Sequence, residues 1–295
     1  MKETPIIYDD RIKASICCLT YNQVNYVQQM LESLLSQKTE FSFEILVHDD
    51  ASNDGTREVI EKLTAEYPEV IMPLFRVENQ YSKSIYQSMN GKFNIPRARG
   101  EFLFFCDGDD YWCDNDKLQR QIELIMTSGS DMVFHSFYEQ SESKKYLRGP
   151  FGTKSREIKF WQIKSKGPNS APLSTICIRK NCVTWLNTIL PNFNEKYLEH
   201  SIFHAAGSMS SNAFYDPRPM SVYRTNVPGS WTFRIRRKKQ LGIAFTEKII
   251  EAYTKIGGIA PTRISFFIKL HLARLKIVLA VRKILIKCQK YVSKY

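Results

Sequence analysis

The sequence predicts an α/β fold: a mostly parallel sheet flanked by helices, followed by a basic helical C-terminal extension. Three observations carry this expectation. Apolar runs without polar alternation, as in Ala14 to Leu19 and Phe102 to Cys106, fit strands covered on both faces. Segments of helical period lie between such runs, as crossovers between parallel strands require. The formal charge of +12 is unevenly spread: from Phe233 onward 16 Lys and Arg stand against Glu247 and Glu251, a local +14 that leaves −2 for everything before.

Taken in order, "ASICCLTYN" is a strand that breaks at Thr20-Tyr21-Asn22, and Val27, Met30, Leu31, Leu34 and Leu35 then recur at helical spacing. "FEILVHDDASNDGT" is a second strand ending in Asp49 and Asp50, followed by turn residues and a helix marked by Val59, Ile60 and Leu63. "VIMPLF" is a shorter strand, and its Pro73 places it at a sheet edge. After Phe102 to Cys106, Asp114 is expected to cap a helix carrying Leu118, Ile122, Ile125 and Met126. "DMVFHSFY" follows as a strand, and "STICIRK" and "AFYDPRPMSVYR" as further strands around a helix near Glu199 to Ala206. Residues 233 to 295 read as helical and basic, and a boundary near Ser230 divides the chain into 1–230 and 231–295.

With 295 residues and 43% hydrophobic content the chain can bury a substantial core. Its start lacks the basic and apolar regions of a secretory signal. None of the seven cysteines forms a C-x-x-C pair. Cys17 and Cys18, adjacent in a strand, point to opposite faces and read as small buried residues of a reduced, cytoplasmic protein. Neither a zinc site nor a disulfide framework is expected. The aromatics lie in the acidic-to-neutral part rather than among the basic residues, which argues against nucleic acid as a partner.

Asp107, Asp109 and Asp110 follow the Phe102 to Cys106 run, at the strand's carboxyl end, where α/β sheets bind ligands. Carboxylates this close repel unless a cation or hydrogen-bond donors compensate. Hard oxygen ligands favour Mg²⁺ or Mn²⁺. Parallel strands put Asp49, Asp50, Ser52 and Asp54 on the same edge, and a nucleoside diphosphate with a metal fits the combined acids. The alternative is that Asp50, Ser52, Asn53 and Asp54 make turns and a helix cap. An EF-hand starting at Asp107 fails, since Trp112 and Leu118 stand where Gly and Glu are needed. A phosphatase with Asp107 as nucleophile and Asp109 as acid/base is chemically open, but leaves "VHDDASNDGT" unused.

The segments "SICCLTYNQVNYVQQMLESLLSQ", "FEILVHDDASNDGT", "ARGEFLFFCDGDDYW" and "MSVYR" resemble the family 2 glycosyltransferases of GT-A fold over about residues 13 to 231. The resemblance implies a nucleotide-binding sheet and inverting transfer of a sugar from a nucleoside-diphosphate sugar, with a UDP-sugar as the expected donor. It implies that Thr20, Tyr21, Asn22, Asp50 and Asp54 line the nucleotide pocket. Asp107-Gly108-Asp109 matches the family's DxD motif, with Asp107 near the ribose or metal and Asp109 on the Mn²⁺ or Mg²⁺. The family's acidic general base corresponds to Glu199 or His200 in "YLEHSIF". Their bland alternatives are a helix-terminal acid and a packing histidine. Arg97 and Arg99 either reach the diphosphate or belong to a solvated turn, and His48 reads as a structural histidine. Asn226 stands where some relatives have His, with Trp231 following in a loop that closes over the site. The absent Q-x-x-R-W signature implies single or few-fold transfer to a glycan or lipid-linked acceptor, in cell-surface glycan biosynthesis. A metal-dependent phosphatase or nucleotidyltransferase, and a noncatalytic nucleotide-sugar-binding module, are the alternatives.

Between Ile264 and Tyr291 charges interrupt every 18-residue window, so a membrane-spanning helix is not expected. Lys269, Lys276, Lys283 and Lys290 recur every seven residues, joined by Lys287, with Phe267, Leu270, Val278, Val281, Ile284 and Leu285 over much of the other side. Such a helix over residues 264–291 either lies on an anionic membrane surface, at the inner face of the cell membrane, or packs on protein. Arg274 and Arg282 fall on the apolar side and favour packing.

Overall fold

The computed structural model describes residues 12–83, 88–166, 170–193, 200–228, 230, 233 and 239–292. The chain divides into two compact units, Met1–Thr225 and Asn226–Tyr295.

In the first unit ten strands form one sheet among the described residues. β1 (Ile12–Thr20), β2 (Ser42–Asp49), β3 (Ile71–Phe75) and β4 (Phe102–Asp107) run parallel in the order β3-β2-β1-β4. β3 ends the row, where Pro73 removes no essential donor. Between β1 and β2 lies α1 (Val24–Leu35), and between β2 and β3 lies α2 (Thr56–Glu66). The crossover from β3 to β4 passes through α3 (Gln80–Lys83), a π-helical turn (Asn90–Asn94) and α4 (Ile95–Arg97).

Beyond β4 the sheet becomes mixed. β5 (Tyr111–Trp112), α5 (Lys117–Ser128), β6 (Met132–Gln140), β7 (Lys145–Arg148), β8 (Arg156–Ile158), α6 (Phe160–Ser165), β9 (Cys177–Arg179), α7 (Lys180–Ile189), α8 (His200–Ala206) and β10 (Ala213–Arg224) follow in sequence. The short β9, from "STICIRK", lies antiparallel between β4 and β6, while β6 and β10 pair in parallel. β10 shifts register between Asp216 and Ser221, across Pro217 and Pro219, which carry no N–H for the ladder. Asp114 does not cap α5, as the sequence suggested: the helix begins at Lys117, and the Asp114 carboxylate accepts the Asp116 N–H at 3.0 Å and pairs with Arg218.

One face of the sheet holds Ile16, Cys18, Ile45, Phe104 and Cys106 in a single core with Val27, Met30, Leu31 and Leu34 of α1 and Leu118, Ile122 and Ile125 of α5. Each Val, Leu, Ile, Met and Phe among them contributes about 1.5–3 kcal/mol by leaving water. On the opposite face Phe105 packs against Phe203 of α8, ring centres 4.5 Å apart. Cys17 and Cys18 are both buried and unbridged, as expected. Gly100 admits the start of β4 beside β1, because a Cβ there would fall 2.6 Å from the Ala14 carbonyl carbon.

The second unit contains α9 (Lys239–Ile259) and α10 (Thr262–Val292), joined at Ala260-Pro261 and packed antiparallel. Ile268 touches Gly257, the Ser265 hydroxyl donates to Gly257 O at 2.9 Å, and Tyr253 meets His271 edge to face. Among the described residues no helix is long and apolar enough to cross a membrane.

Candidate active site

The carboxyl ends of β1, β2 and β4 are held level by their register: Thr20 lies opposite Asp49, and Leu19 opposite Asp107. Two further bonds extend the pairing into the loops, from Asp50 N–H to Thr20 O at 3.0 Å and from Gly108 N–H to Leu19 O at 2.9 Å. The Thr20 hydroxyl donates to Asp49 Oδ1 at 3.0 Å, and Ser52 donates to the same carboxylate through its N–H and hydroxyl. Asn22 bridges the two loops: its N–H donates to Ser52 Oγ, and its side-chain oxygen accepts the Asn53 N–H. Asn22 and Ala51 hold the left-handed conformation at φ 52° and 65°, a form asparagine tolerates more readily than alanine. Tyr21 stands at this rim with 41% of its surface exposed.

Asp50 is buried, and its two oxygens accept the N–H groups of Gln80 and Tyr81 at 2.8 and 2.9 Å, which ties the loop after β3 to the edge. Burial alone would raise its pKa, but the His48 ring and those two amides outweigh it and hold Asp50 below the ordinary carboxylate value. His48 is buried in β2, stacked on Phe93 with centroids 4.5 Å apart and Nε2 3.6 Å from Asp50. It thus has the structural surroundings that the sequence suggested, though neither ring nitrogen makes a hydrogen bond within normal reach.

Asp54 acts as a local clasp. One oxygen accepts the Val24 N–H at the start of α1, and the other accepts the N–H and hydroxyl of Thr56 at the start of α2. Burial is the largest single influence and would raise its pKa, but these bonds together outweigh it and hold Asp54 below the ordinary carboxylate value. The Arg97 guanidinium donates to Met72 O, Val47 O and Asn94 Oδ1 and fastens the crossover to the sheet. Arg99 pairs with Glu44, which is buried. Both arginines hold backbone and core acids rather than the edge.

Asp107 closes β4 half-buried, and Gly108 follows with no room for a side chain, since a Cβ would lie 2.8 Å from Thr20 Cγ2 and closer still to the Gln23 amide. A glycine between the two acids is therefore a packing requirement of the β1 loop. Asp109 and Asp110 are buried, and their pKa values rise, first from desolvation and, for Asp110, also from Asp109 and Asp107. Arg224, at the end of β10, is the main compensating cation. Its N–H donates to Asp110 Oδ1 at 2.9 Å, and its guanidinium donates to Asp109 O at 2.7 Å and to Gln29, between the rings of Tyr26 and Tyr111. Neither Arg224 nor Gln23 stands out in the sequence; an arginine closing the apolar strand "MSVYR" was the available signal.

Glu199 lies outside the described residues, and of His200 only the backbone, which opens α8, is described. Trp231 also lies outside them. α8 is anchored by Phe203 on Phe105 and by His204, which donates from Nε2 to Ala171 O at 3.0 Å and accepts from Lys164 at Nδ1. Its first turn is thus tied to β4, the strand that carries the acids. Among the described residues no group of three or more His, Cys, Asp or Glu side chains is arranged as a metal cage.

A mixed α/β sheet whose carboxyl edge gathers acidic loops is the architecture of a ligand-binding crevice. The particular family follows from comparison: residues 15–170, more than half of the chain, match Glycosyl transferase family 2, and the chain belongs to that family. An uncharacterized protein of Mycobacterium tuberculosis is 39% identical over 111 residues, 38% of this chain and 31% of that protein. The chain thus spans about a third of the length of the first curated relatives it matches. A putative teichuronic acid biosynthesis glycosyltransferase of Bacillus subtilis, TuaG, is 24% identical over 215 residues, 67% of this chain and 81% of that protein. Among solved structures, TarS of S. aureus in complex with UDP is similar in fold, with a TM-score of 0.58, 18% identity, and coverage of 82% of this chain and 65% of that one. A mannosyltransferase of Pyrobaculum calidifontis in complex with GDP-Man and Mn²⁺ has a TM-score of 0.55 at 14% identity, covering 100% of this chain and 85% of that one. The shared fold is of GT-A type.

Proposed function

We propose that this protein is an inverting, metal-dependent glycosyltransferase that moves a sugar from a nucleoside-diphosphate sugar, a UDP-sugar by preference, to a hydroxyl of a glycan or lipid-linked acceptor in cell-surface glycan biosynthesis. The observation that carries the proposal is the convergence of Thr20, Asp49, Asp107 and Asp109 on one sheet edge in a family 2 chain. The UDP in TarS and the GDP-Man and Mn²⁺ in the Pyrobaculum enzyme support the donor class and the metal. We assign the transferase domain to residues 1–230.

Asp107 and Asp109 would hold Mn²⁺ or Mg²⁺, and the donor set fits: two hard carboxylates, with no third protein ligand grouped with them among the described residues, leave positions for phosphate oxygens. When bound, such a cation neutralises charge on the leaving diphosphate. Tyr21, exposed at the rim, offers a ring face to the nucleotide base, while Thr20, Asn22, Asp49, Asp50 and Asp54 shape the loops that receive it. Arg224 keeps the Asp109 loop in place through its backbone. The anchoring of Arg97 by three carbonyl-type acceptors favours a structural role over a diphosphate contact.

Glu199 is the proposed general base and His200 the alternative, since inversion needs a proton acceptor beside the acceptor hydroxyl, opposite the leaving group. Two experiments test the proposal. UDP should raise the melting temperature only with Mn²⁺ or Mg²⁺ present, and Asp109→Ala should remove that rise; an unchanged metal-dependent rise in the variant refutes the metal assignment. Glu199→Gln should lower kcat by about two to four orders of magnitude with donor binding nearly unchanged, and His200→Gln should lower it less. The reverse ranking at saturating substrates transfers the role to His200.

A further inference from the structure

We propose that the exposed apolar stripe of α10, with the lysines along its edge, is a docking surface for an anionic phospholipid membrane. Phe266, Leu270, Ile277, Val281 and Ile284 are exposed by 62, 61, 66, 50 and 59% of their surface. At 100° per residue they lie on one side of the helix, away from the face turned to α9, where Ile264 and Ile268 are buried. Large apolar side chains left in water along five turns are unusual for a soluble surface and mark an interaction site.

Of the two arginines that argued against a membrane on sequence grounds, Arg274 remains exposed at the border of the stripe, and Arg282 is moved out of the way. Its guanidinium turns inward to α9 and donates to Thr246 Oγ1 at 3.1 Å and Gly242 O at 3.4 Å. The exposed stripe carries no acid, and Arg274 on its border has the sign that an anionic surface attracts. Lys269 and Lys276 are exposed along one edge, and Lys283 continues the row while paired with Glu247 at 2.7 Å. Thr262–Val292 contains no acidic residue.

The charge pattern selects the occupant. Phe266, Leu270, Ala273, Ile277, Ala280 and Ile284 follow the alternating four-three spacing of a coiled-coil seam, so a second copy of the helix is the competing partner. In an antiparallel pair the lysines preceding Leu270, Ile277 and Ile284 would face one another. In a parallel pair Lys269 would face Arg274, and α10 carries no acid of its own to relieve either arrangement, Glu247 of α9 meeting only Lys283 among the described residues. A flat anionic lipid surface meets both requirements at once: it takes the apolar side chains into the headgroup region and attracts the lysine edge. This inference rests on α10 alone and stands apart from the glycosyl-transfer proposal.

The test is co-sedimentation of the full chain with vesicles of phosphatidylcholine alone and of phosphatidylcholine with phosphatidylglycerol, at low and high salt. Binding is expected only with phosphatidylglycerol, weakening as salt rises. Lys269→Gln with Lys276→Gln should weaken the partition coefficient by about fivefold per lysine, and Leu270→Asn with Ile277→Asn should abolish retention, with helical circular dichroism unchanged in both. Absence of binding at low salt, equal binding to neutral vesicles, or full binding by both double variants overturns the proposal. A concentration-dependent dimer in sedimentation equilibrium that Leu270→Asn with Ile277→Asn dissolves would instead make the stripe a self-association seam, and an acidic protein partner would be indicated by lysine-dependent binding that no vesicle reproduces.

Discussion

Lys117 shows what a single buried side chain does to the balance of forces. Its amine is fully enclosed, donating to Gln121 Oε1 at 2.6 Å and lying over the rings of Trp112 and Phe104 at 4.0 and 5.0 Å. Burial pushes its pKa down from 10.5 to about 7. Between those values the unfolded chain carries a proton that the folded chain lacks, so stability rises with pH through the window; below about 7 both forms are protonated and the penalty is constant. Lys117→Met removes the charge and keeps the stem. The variant is expected to be more stable than the wild type near pH 7, with the gap shrinking by about 1.4 kcal/mol per unit toward pH 10. Urea unfolding at two pH values checks this, and a constant gap would show that the amine is not depressed. The acids at the edge illustrate the converse: Asp109 and Asp110 are buried with raised pKa values, and Arg224 is what holds them.

At the scale of elements, Asp54 couples α1 and α2 to the loops that form the edge. By accepting from Val24 N–H and from Thr56 it serves two helix starts that otherwise have unsatisfied donors. Asp54→Ala is expected to cost about 1–2 kcal/mol of stability, with nucleotide affinity nearly unchanged in the folded fraction. Urea titration and a UDP binding isotherm separate the two effects: lost affinity at full stability would assign the carboxylate to the ligand instead. The two roles weighed for this residue were indistinguishable in the sequence because turn-forming and ligand-binding acids use the same residue types at the same spacing. The parallel elements, in contrast, were legible. Unbroken apolar runs for β1, β2 and β4 and helical spacing for α1 and α5 come from burial on fixed faces, which the order of residues encodes. β9 was read as a strand, but its antiparallel place between β4 and β6 was not foreseen, since three residues cannot specify which neighbours they pair with.

For the molecule as a whole, the described candidates at the strand ends, from Thr20 to Arg224, lie within Met1–Thr225, and Asn226 begins the second unit. A chain ending at Thr225 is therefore expected to keep the metal-dependent stabilisation by UDP while losing whatever association α10 provides. A thermal-shift titration of the shortened chain decides this, and loss of the UDP effect with the fold intact would place part of the nucleotide site after residue 225.

The sequence by itself determined the alternation of strands and helices, the gathering of acids at the strand ends and the basic character of the last 63 residues, because these follow from the order of apolar and charged residues along the chain. Tertiary structure alone decided which acids are enclosed, that Gly108 is required by the neighbouring β1 loop, that Arg97 fastens the crossover, and that Arg224 crosses from β10 to hold Asp109 and Asp110. It also decided that Arg282 faces α9, while Phe266, Leu270, Ile277, Val281 and Ile284 stay exposed. The reason is physical: periodicity fixes the face on which a side chain leaves its own element, whereas the donors, acceptors and dielectric it meets belong to residues brought close only by folding.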